Sequence, residues 1–294
     1  MNKSTESSQE LDLPGGWKLQ DKFYEGDGFE YWHANKNELK INIESVVMRL
    51  DYSYLKNKND DWQKKFLESS FEKLAQILAK NFNFLPEPLI FKYVDSPIVE
   101  AKEPILLLKQ LKGKEINFNL NNNDIKNYNY LLSLTKRISY MLLNLHKNDV
   151  IVTEIPRKSI IRSLTGGFYF FQFKSFIDLN SYDGYDKTKK VLKPNKIYSA
   201  PEVFSSQNNL NCSTDIYAMG KFLLQLLLGD KIFNEYFKKN PFPSKEEYEA
   251  ILRNISIENE IKKMILQCIS YNPSSRFDDF IKFINMLEEI DIYN

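Results

Sequence analysis

The stretch Ser213-Thr214-Asp215-Ile216-Tyr217-Ala218-Met219-Gly220 runs, after Lys221, into a leucine-rich segment from Phe222 to Gly229. Its apolar periodicity predicts a helix from Asp215 to Leu228. The apolar run Phe222–Leu228 is far shorter than the roughly 18–20 residues that a membrane-spanning helix needs. The first ten residues are polar and lack the apolar core of a signal peptide. We therefore expect a soluble, cytoplasmic protein.

Length and composition restrict the function further. The chain has 294 residues, with 40 Lys and Arg against 39 Asp and Glu, and 43% of its residues are hydrophobic. At about 150 residues per domain this length predicts two compact units, or one bilobed unit. The near-zero net charge gives no reason to expect nucleic acid or a membrane surface as a partner. Two cysteines and two histidines exclude a disulfide scaffold and leave almost no room for a zinc site, so no metal site is predicted.

Upstream of the opening stretch, the pattern predicts a small β-rich part with one helix. Residues 1–16 are interpreted as a disordered polar tail that ends in Pro14-Gly15-Gly16. Turn residues, alternation and helical periodicity then predict five further features: a hairpin turn at Glu25-Gly26-Asp27-Gly28, strands at Leu39–Glu44, Leu89–Val94 and Ile105–Leu108, and a helix over about 60–80.

After Gly113 the pattern is mainly helical, and the fold class is therefore α+β. Short β segments are predicted at Val150–Val152 and Phe168–Phe173. The other predicted helices are Tyr128–His146, Lys245–Arg253, Glu258–Ile269 and Asp278–Ile290.

Two further segments give the opening stretch a family resemblance. Tyr198-Ser199-Ala200-Pro201-Glu202 precedes it, and Asn272-Pro273-Ser274-Ser275-Arg276 follows it. In this order and spacing the three segments resemble the Ala-Pro-Glu segment, the central C-lobe helix and the Asp-Pro-x-x-Arg turn of protein kinases. The resemblance covers nearly the whole chain after the tail. It implies one bilobed domain at 17–294, with an N-lobe at 17–111 and a C-lobe at 112–294.

The resemblance assigns structural roles to three residues. It implies that Glu202 pairs with Arg276, and that Asp215 accepts backbone N–H bonds from the loop that is catalytic in kinases. Removing one partner of such a buried ion pair costs roughly 3–5 kcal/mol, because the other charge is left unpaired. These residues support the scaffold and perform no chemistry.

The positions that are catalytic in kinases carry other residues in this chain. Aligned without a gap, Val152-Thr153-Glu154 stand at the His-Arg-Asp positions and Ser159 at the Asn position, while Gln172 stands at the Asp of Asp-Phe-Gly. Magnesium prefers carboxylate oxygen, which neither Ser159 nor Gln172 supplies. Pro156 also replaces a lysine. Glu154 is thus a degenerate base position, and Gln172 and Ser159 are degenerate metal-ligand positions.

The expected nucleotide pocket also lacks residues that bind the nucleotide in kinases. The hairpin at Gly26 and Gly28 lacks the third glycine of a nucleotide loop, and a plain hairpin is favoured. The predicted strand Leu39–Glu44 places Asn42 where kinases have a phosphate-binding lysine, with Lys40 on the same face as a substitute. Glu72, or Glu68, is the candidate partner of that lysine, although a solvated glutamate is an equal alternative. The resemblance places Leu108 and Leu111 at the adenine.

The sequence therefore predicts a pseudokinase, a binding and regulatory module with lost or very weak phosphotransfer. The alternative is a divergent ATP-dependent Ser/Thr protein kinase with Glu154 as base, and a third reading is a switch that binds ATP without turnover. No cofactor is certain, and ATP with weak or no dependence on magnesium stays open. The expected partner is another protein, contacted through residues 230–270 or through the basic loop at 175–197, and neither nucleic acid nor a membrane is expected.

Overall fold

The computed structural model describes residues 11–26, 29–51, 61–80, 82–95, 102–110, 113–116, 125–164, 166–170, 175–181, 194–205 and 210–292. The chain divides into two compact units, with the boundary between Lys112 and Gly113. The first unit contains strands and one described helix, and the second is mainly helical with short strands. The α+β class predicted from the sequence is thereby confirmed.

The first unit consists of a five-stranded antiparallel sheet and helix α1 (Asp61–Ala79). The strand order is β1-β2-β3-β5-β4, and every neighbouring pair is antiparallel. The predicted hairpin is present, because Gly26 at the end of β1 pairs with Phe29 at the start of β2. The strands are β1 (Lys18–Gly26), β2 (Phe29–Glu38), β3 (Ile41–Leu50), β4 (Pro88–Asp95) and β5 (Lys102–Lys109).

Each face of this sheet is covered by a different part of the first unit. Helix α1 packs on one face, where the Phe71 ring lies 6.0 Å from Phe29 and 6.1 Å from Phe91. On the other face, Leu11 and Leu13 pack with Trp17 against the apolar side chains of β2, β3 and β5. This burial of apolar surface on both faces stabilises the sheet.

The polar tail is therefore shorter than predicted. Leu11 and Leu13 are only 5% and 4% exposed, and Pro14–Gly16 form a 3-10 turn. Residues 11–16 thus belong to the folded unit, since two leucines in an otherwise polar segment reach the sheet. Residues 1–10 lie outside the described part of the chain.

Strand β3 also differs from its prediction. It runs from Ile41 to Leu50, six residues further than the alternating segment Leu39–Glu44. Leu39 and Lys40 form the two-residue turn of the β2–β3 hairpin, with φ of 50° and 64°. Positive φ at both central residues is the geometry that matches the twist of the flanking strands.

The second unit is arranged around a long buried helix, α3. Nearly every side chain from Ser213 to Leu227 is buried, and α3 packs against α2 and α5. A residue with φ of 75°, Gly229, kinks α3 at the end of the predicted segment. The helices of this unit are α2 (Ile125–His146), α3 (Cys212–Lys239), α4 (Lys245–Arg253), α5 (Asn259–Cys268) and α6 (Phe280–Ile292).

A glycine allows the close packing of α3 on α5. A Cβ atom built on Gly220 would lie 2.6 Å from Ile269 Cγ2 and 2.8 Å from Cys268 Cβ. Both distances are shorter than van der Waals contact, and the neighbouring groups are buried. Only glycine fits at this helix crossing without a shift of the backbone.

Two small antiparallel sheets complete the second unit. One pairs β7 with β10, and the other has the order β6-β8-β9. All of these strands except β6, which precedes α2, come from the segment between α2 and α3. The sheets therefore place the loops of that segment against the buried helices. Their strands are β6 (Gly113–Glu115), β7 (Val150–Val152), β8 (Ile160–Ser163), β9 (Phe168–Phe170) and β10 (Phe176–Asp178).

One lysine of α3 is fully buried among aromatic rings. The Lys221 ammonium lies 3.5 Å from the Phe237 ring centroid, and it donates to the Pro241 carbonyl at 3.0 Å and to the Tyr248 hydroxyl at 3.3 Å. Burial lowers the pKa of Lys221 well below its ordinary value. Its contacts are thus with ring faces and neutral oxygens, in a core that offers it little solvation.

No described helix is both long enough and apolar enough to cross a membrane.

The packing of the N-terminal segment predicts a stability effect. We expect Leu13→Ala to lower the free energy of unfolding by about 2–5 kcal/mol, because it leaves a cavity against the sheet. Urea denaturation followed by circular dichroism measures the change. Asp12→Ala is the matched control, since Asp12 is exposed. Equal midpoints for the two variants would contradict the packing role of residues 11–16.

Candidate functional site

The carboxylate of Asp215 joins three elements of the second unit. It lies in the first turn of α3, which begins with a capping box formed by Asn211 and Thr214. The side chain is fully buried, and its Oδ2 accepts the Val152 N–H of β7 at 2.7 Å. The same oxygen lies 2.7 Å from His146 Nε2 at the end of α2. Asp215 thus holds the start of the loop that follows β7, the role that the family resemblance implies.

The partner of Asp215 is a strongly basic histidine. Burial lowers the pKa of His146, but the hydrogen bonds and charges of Asp215 and Cys212 outweigh it and raise the pKa to about 10. The ring is 5% exposed and lies 5.3 Å from the Phe280 ring of α6. His146 is therefore a buried, strongly basic partner of Asp215, and burial raises the pKa of the Asp215 carboxyl as well.

Glu202 and Arg276 form a bidentate ion pair. Arg276 Nη1 and Nη2 donate to the two carboxylate oxygens of Glu202 at 2.6 and 2.9 Å. The remaining guanidinium N–H groups donate to the backbone carbonyls of Ser213, Ser270 and Tyr271 at 2.8–3.2 Å. All five N–H groups of the arginine thus have partners. A lysine has fewer N–H donors and could not form all of these hydrogen bonds.

Glu154, which the sequence predicts to be a degenerate base position, is buried and accepts hydrogen bonds within the fold. The residue is 4% exposed. Its Oε1 accepts the Asn195 N–H at 2.5 Å and the Ser199 hydroxyl at 3.1 Å. Its backbone carbonyl accepts the Ser175 hydroxyl at 3.3 Å. The carboxylate therefore binds the segment that leads into Ala200-Pro201-Glu202.

Ser159, which the sequence predicts to be a degenerate metal-ligand position, also forms a hydrogen bond within the fold. Its hydroxyl donates to the Pro156 carbonyl at 2.6 Å and closes a 3-10 turn, in which the side chain is 2% exposed. The neighbouring Arg157 donates its backbone N–H to Gln225 of α3 at 2.9 Å and pairs with Asp230. Arg157 therefore fixes this turn on α3, a role that its sequence context does not indicate.

Other predicted site residues lie outside the described part of the chain. They are Gly28 of the hairpin turn, Leu111 of the expected adenine pocket, and Gln172, the second degenerate metal-ligand position. Among the residues that are described, no group of three or more His, Cys, Asp or Glu side chains could hold a metal ion.

The corrected register of β3 changes the expected lysine position. Asn42 is exposed near the start of the strand, and Lys40 lies in the preceding turn instead of on the strand face. Residues 42, 44, 46, 48 and 50 share the face that α1 covers, because Leu50 pairs with Phe29 and Met48 with Tyr31 and Leu106. These residues are Asn, Glu, Val, Met and Leu. This face of β3 thus carries no cation.

The predicted acidic partner of that lysine binds elsewhere. Glu72 of α1 accepts a hydrogen bond from the Tyr93 hydroxyl of β4. Burial, together with the charges of Glu72 and Glu68, raises the pKa of Tyr93 to about 12. Leu108 is buried in β5, where its carbonyl accepts the Ser45 hydroxyl. Glu72 is exposed and does not pair with Lys40 in this structure, which agrees with the alternative of a solvated glutamate.

The cation that β3 does carry was missed by the sequence analysis. Arg49 is 4% exposed and lies on the face opposite α1. It pairs with Glu103 of β5 at 2.8 Å and lies 3.9 Å from Glu30 of β2. The sequence feature that could have revealed this ion pair is a single arginine within the otherwise apolar run Val46–Leu50. The charge of Arg49 is therefore paired with carboxylates within the first unit.

Comparison with known proteins gives a partial match to protein kinases. No family model matches the chain. A probable serine/threonine-protein kinase of Dictyostelium discoideum is 24% identical over 195 residues, which cover 64% of this chain and 37% of that protein. Developmentally-regulated protein kinase 1 of the same organism is 31% identical over 83 residues, or 28% of this chain and 12% of that protein. The chain thus spans well under half the length of these relatives. The matches support a distant, kinase-like relationship.

The Arg276 contacts predict a large effect for a conservative change. We expect Arg276→Lys to lower the free energy of unfolding by about 2–4 kcal/mol, because charge-assisted hydrogen bonds to Glu202 and to buried carbonyls are lost. Urea titration measures the effect. Arg253→Lys at the exposed end of α4 is the control. A loss no larger than that of the control would contradict the role of the bidentate pair.

The His146–Asp215 pair predicts a specific pH dependence. Because the folded pKa of about 10 lies above the ordinary value of 6.5, the pair stabilises the fold fully below pH 6.5 and loses this contribution as pH rises towards 10. The stability difference between wild type and His146→Gln should therefore shrink over this interval. Denaturation at pH 6, 8 and 10 tests it, with His33→Gln, a change of the other histidine, as control. A difference that is constant with pH would refute the assignment.

Proposed function

We propose that this chain is a degenerate, bilobed member of the protein kinase superfamily that acts as a binding and regulatory module with lost or very weak phosphotransfer. The observation that carries the proposal is the state of Glu154. The carboxylate at the base position is buried and accepts hydrogen bonds from Asn195 and Ser199. A carboxylate held in this way orders the preceding loop and the segment at 195–202.

The chemistry of phosphoryl transfer supports this proposal. Kinases neutralise the charge of the transferred phosphate with magnesium, which is held by an Asp and an Asn. In this chain Gln172 and Ser159 stand at those positions, and the Ser159 hydroxyl donates to its own turn. The α1 face of β3 carries no lysine for the phosphates, and Arg49 pairs with Glu103 on the other face.

The residues that hold the loops of the second unit in place also support the proposal. Asp215 holds Val152 and His146, and Glu202 pairs with Arg276. These contacts stabilise the loops while contributing no reacting group. A fold that keeps its architecture while its catalytic positions diverge is suited to binding. We propose another protein as the partner, with residues 230–270 and the basic loop at 175–197 as contact regions.

The relatives favour a second candidate function. Both are named as protein kinases, one of them as a probable serine/threonine kinase. The alternative is therefore a divergent ATP-dependent Ser/Thr protein kinase that uses Glu154 as its base. A switch that binds ATP without turnover is intermediate between the two. Nucleotide binding and phosphate transfer separate these possibilities.

A phosphotransfer assay tests the proposal. With γ-labelled ATP, magnesium and a generic protein substrate, we expect no transfer above background from the wild type. Glu154→Gln should lower the free energy of unfolding by about 2–3 kcal/mol, because it weakens hydrogen bonds to a buried carboxylate. Glu235→Gln, at an exposed position of α3, is the matched control and should leave stability unchanged.

Thermal-shift titration with ATP completes the test. The proposal predicts that any stabilisation by ATP is the same in magnesium and in EDTA. Magnesium-dependent stabilisation, together with transfer that folded Glu154→Gln abolishes and Glu235→Gln retains, would overturn the proposal and establish the kinase. Stabilisation by ATP without transfer would identify the inactive nucleotide switch.

A further inference from the structure

A cavity of about 390 Å³ lies on the second unit, away from Glu154 and its contacts. One wall is formed by residues 130–137 of α2, and the other by β8, β9 and the turn between them. Gly166 in this turn has φ of 89°, a conformation that favours glycine, so the turn carries no side chain into the cavity at this position. The volume is within the range of small-ligand sites.

The charged side chains that line this cavity are both arginines. Arg137 comes from α2 and Arg162 from β8, and the lining contains no carboxylate. A third cation stands beside them, because Lys114 of β6 is directly opposite Arg162 in the β6–β8 pair. Like charges directly opposite each other destabilise a sheet. Within the described part of the chain, neither Lys114 nor Arg162 forms an ion pair.

Aromatic contacts hold the two guanidinium groups in place. The Arg162 guanidinium carbon lies 5.8 Å from the Tyr130 ring centroid, and that of Arg137 lies 5.8 Å from the Phe168 ring centroid. Arg137 Nη1 also donates to the Gly166 carbonyl at 3.2 Å. Planar guanidiniums on aromatic rings lose less freedom when they bind, and their forked N–H groups match the oxygens of a phosphate.

We propose that this cavity binds a phosphate monoester. Arg137, Arg162 and the neighbouring Lys114 have no carboxylate partner among the described residues, and together they suit a dianion better than a single carboxylate. A cavity of 390 Å³ has room for a group attached to the phosphate. The buried ring of Phe168 offers an apolar surface for that group. The phosphate monoester could belong to a free small molecule or to a phosphorylated side chain. The inference does not depend on the proposed function, because none of its residues takes part in phosphoryl transfer.

Binding of phenyl phosphate to the full 294-residue chain tests this site. Isothermal titration calorimetry in low salt should detect binding by the wild type and none of phenol, which lacks the anion. Arg162→Gln and Arg137→Gln should each weaken binding by about tenfold or more, the effect of losing a charge-assisted hydrogen bond. Arg253→Gln, an exposed arginine on α4, is the matched control and should bind as the wild type does.

The outcomes separate the sources of the phosphate. A phosphotyrosine peptide that binds at least tenfold more tightly than phenyl phosphate indicates a protein-borne group, and equal affinities indicate a small molecule. Either result supports the site if Arg162→Gln weakens the binding of both ligands by about tenfold or more. Absence of binding, or equal loss of affinity in Arg253→Gln, overturns the proposal. Because Arg137 and Arg162 are exposed, circular dichroism should show both variants folded.

Discussion

The buried carboxylate of Asp215 is the interaction on which the second unit depends. It lies on a helix that is buried from Ser213 to Leu227, and it reaches a strand and the end of another helix through one oxygen. A buried charge is tolerated only when hydrogen bonds or an opposite charge replace its hydration. The Val152 N–H and the basic His146 meet this requirement at Oδ2 of Asp215, while Oδ1 has no hydrogen-bond partner among the described residues. The hydrogen bond and the charges at Asp215 therefore hold the loop after β7 in place, within packed surroundings.

The contacts that could be predicted from the sequence are those of charged residues in short segments with a recognisable order and spacing. Glu202, Asp215 and Arg276 are embedded in distinctive short segments, and the structure places them as the resemblance implied. The carbonyls that complete the Arg276 site were not predictable. They belong to backbone at Ser270 and Tyr271, and a sequence does not show where backbone groups point. The same holds for the contacts of Glu154, whose partners lie about 40 residues further along the chain.

The errors in the first unit have a common physical cause. Alternation in Leu39–Glu44 has the period of a strand, but Leu39 and Lys40 adopt a turn conformation usually taken by glycine or asparagine. The true strand is buried in its second half, where alternation disappears and the side chains on both faces are covered. Leu11 and Leu13 were missed for a related reason. Their burial is decided by the sheet that they cover, which local pattern cannot reveal.

The buried Glu154 also restricts how this chain can change over evolutionary time. Aspartate at this position would be one methylene shorter, and its carboxylate would lie further from the Asn195 N–H and the Ser199 hydroxyl. Stability would fall, because these two buried groups would lose their acceptor. Selection for stability therefore retains glutamate here. A shorter acid would be tolerated only after compensating changes at Asn195 or Ser199.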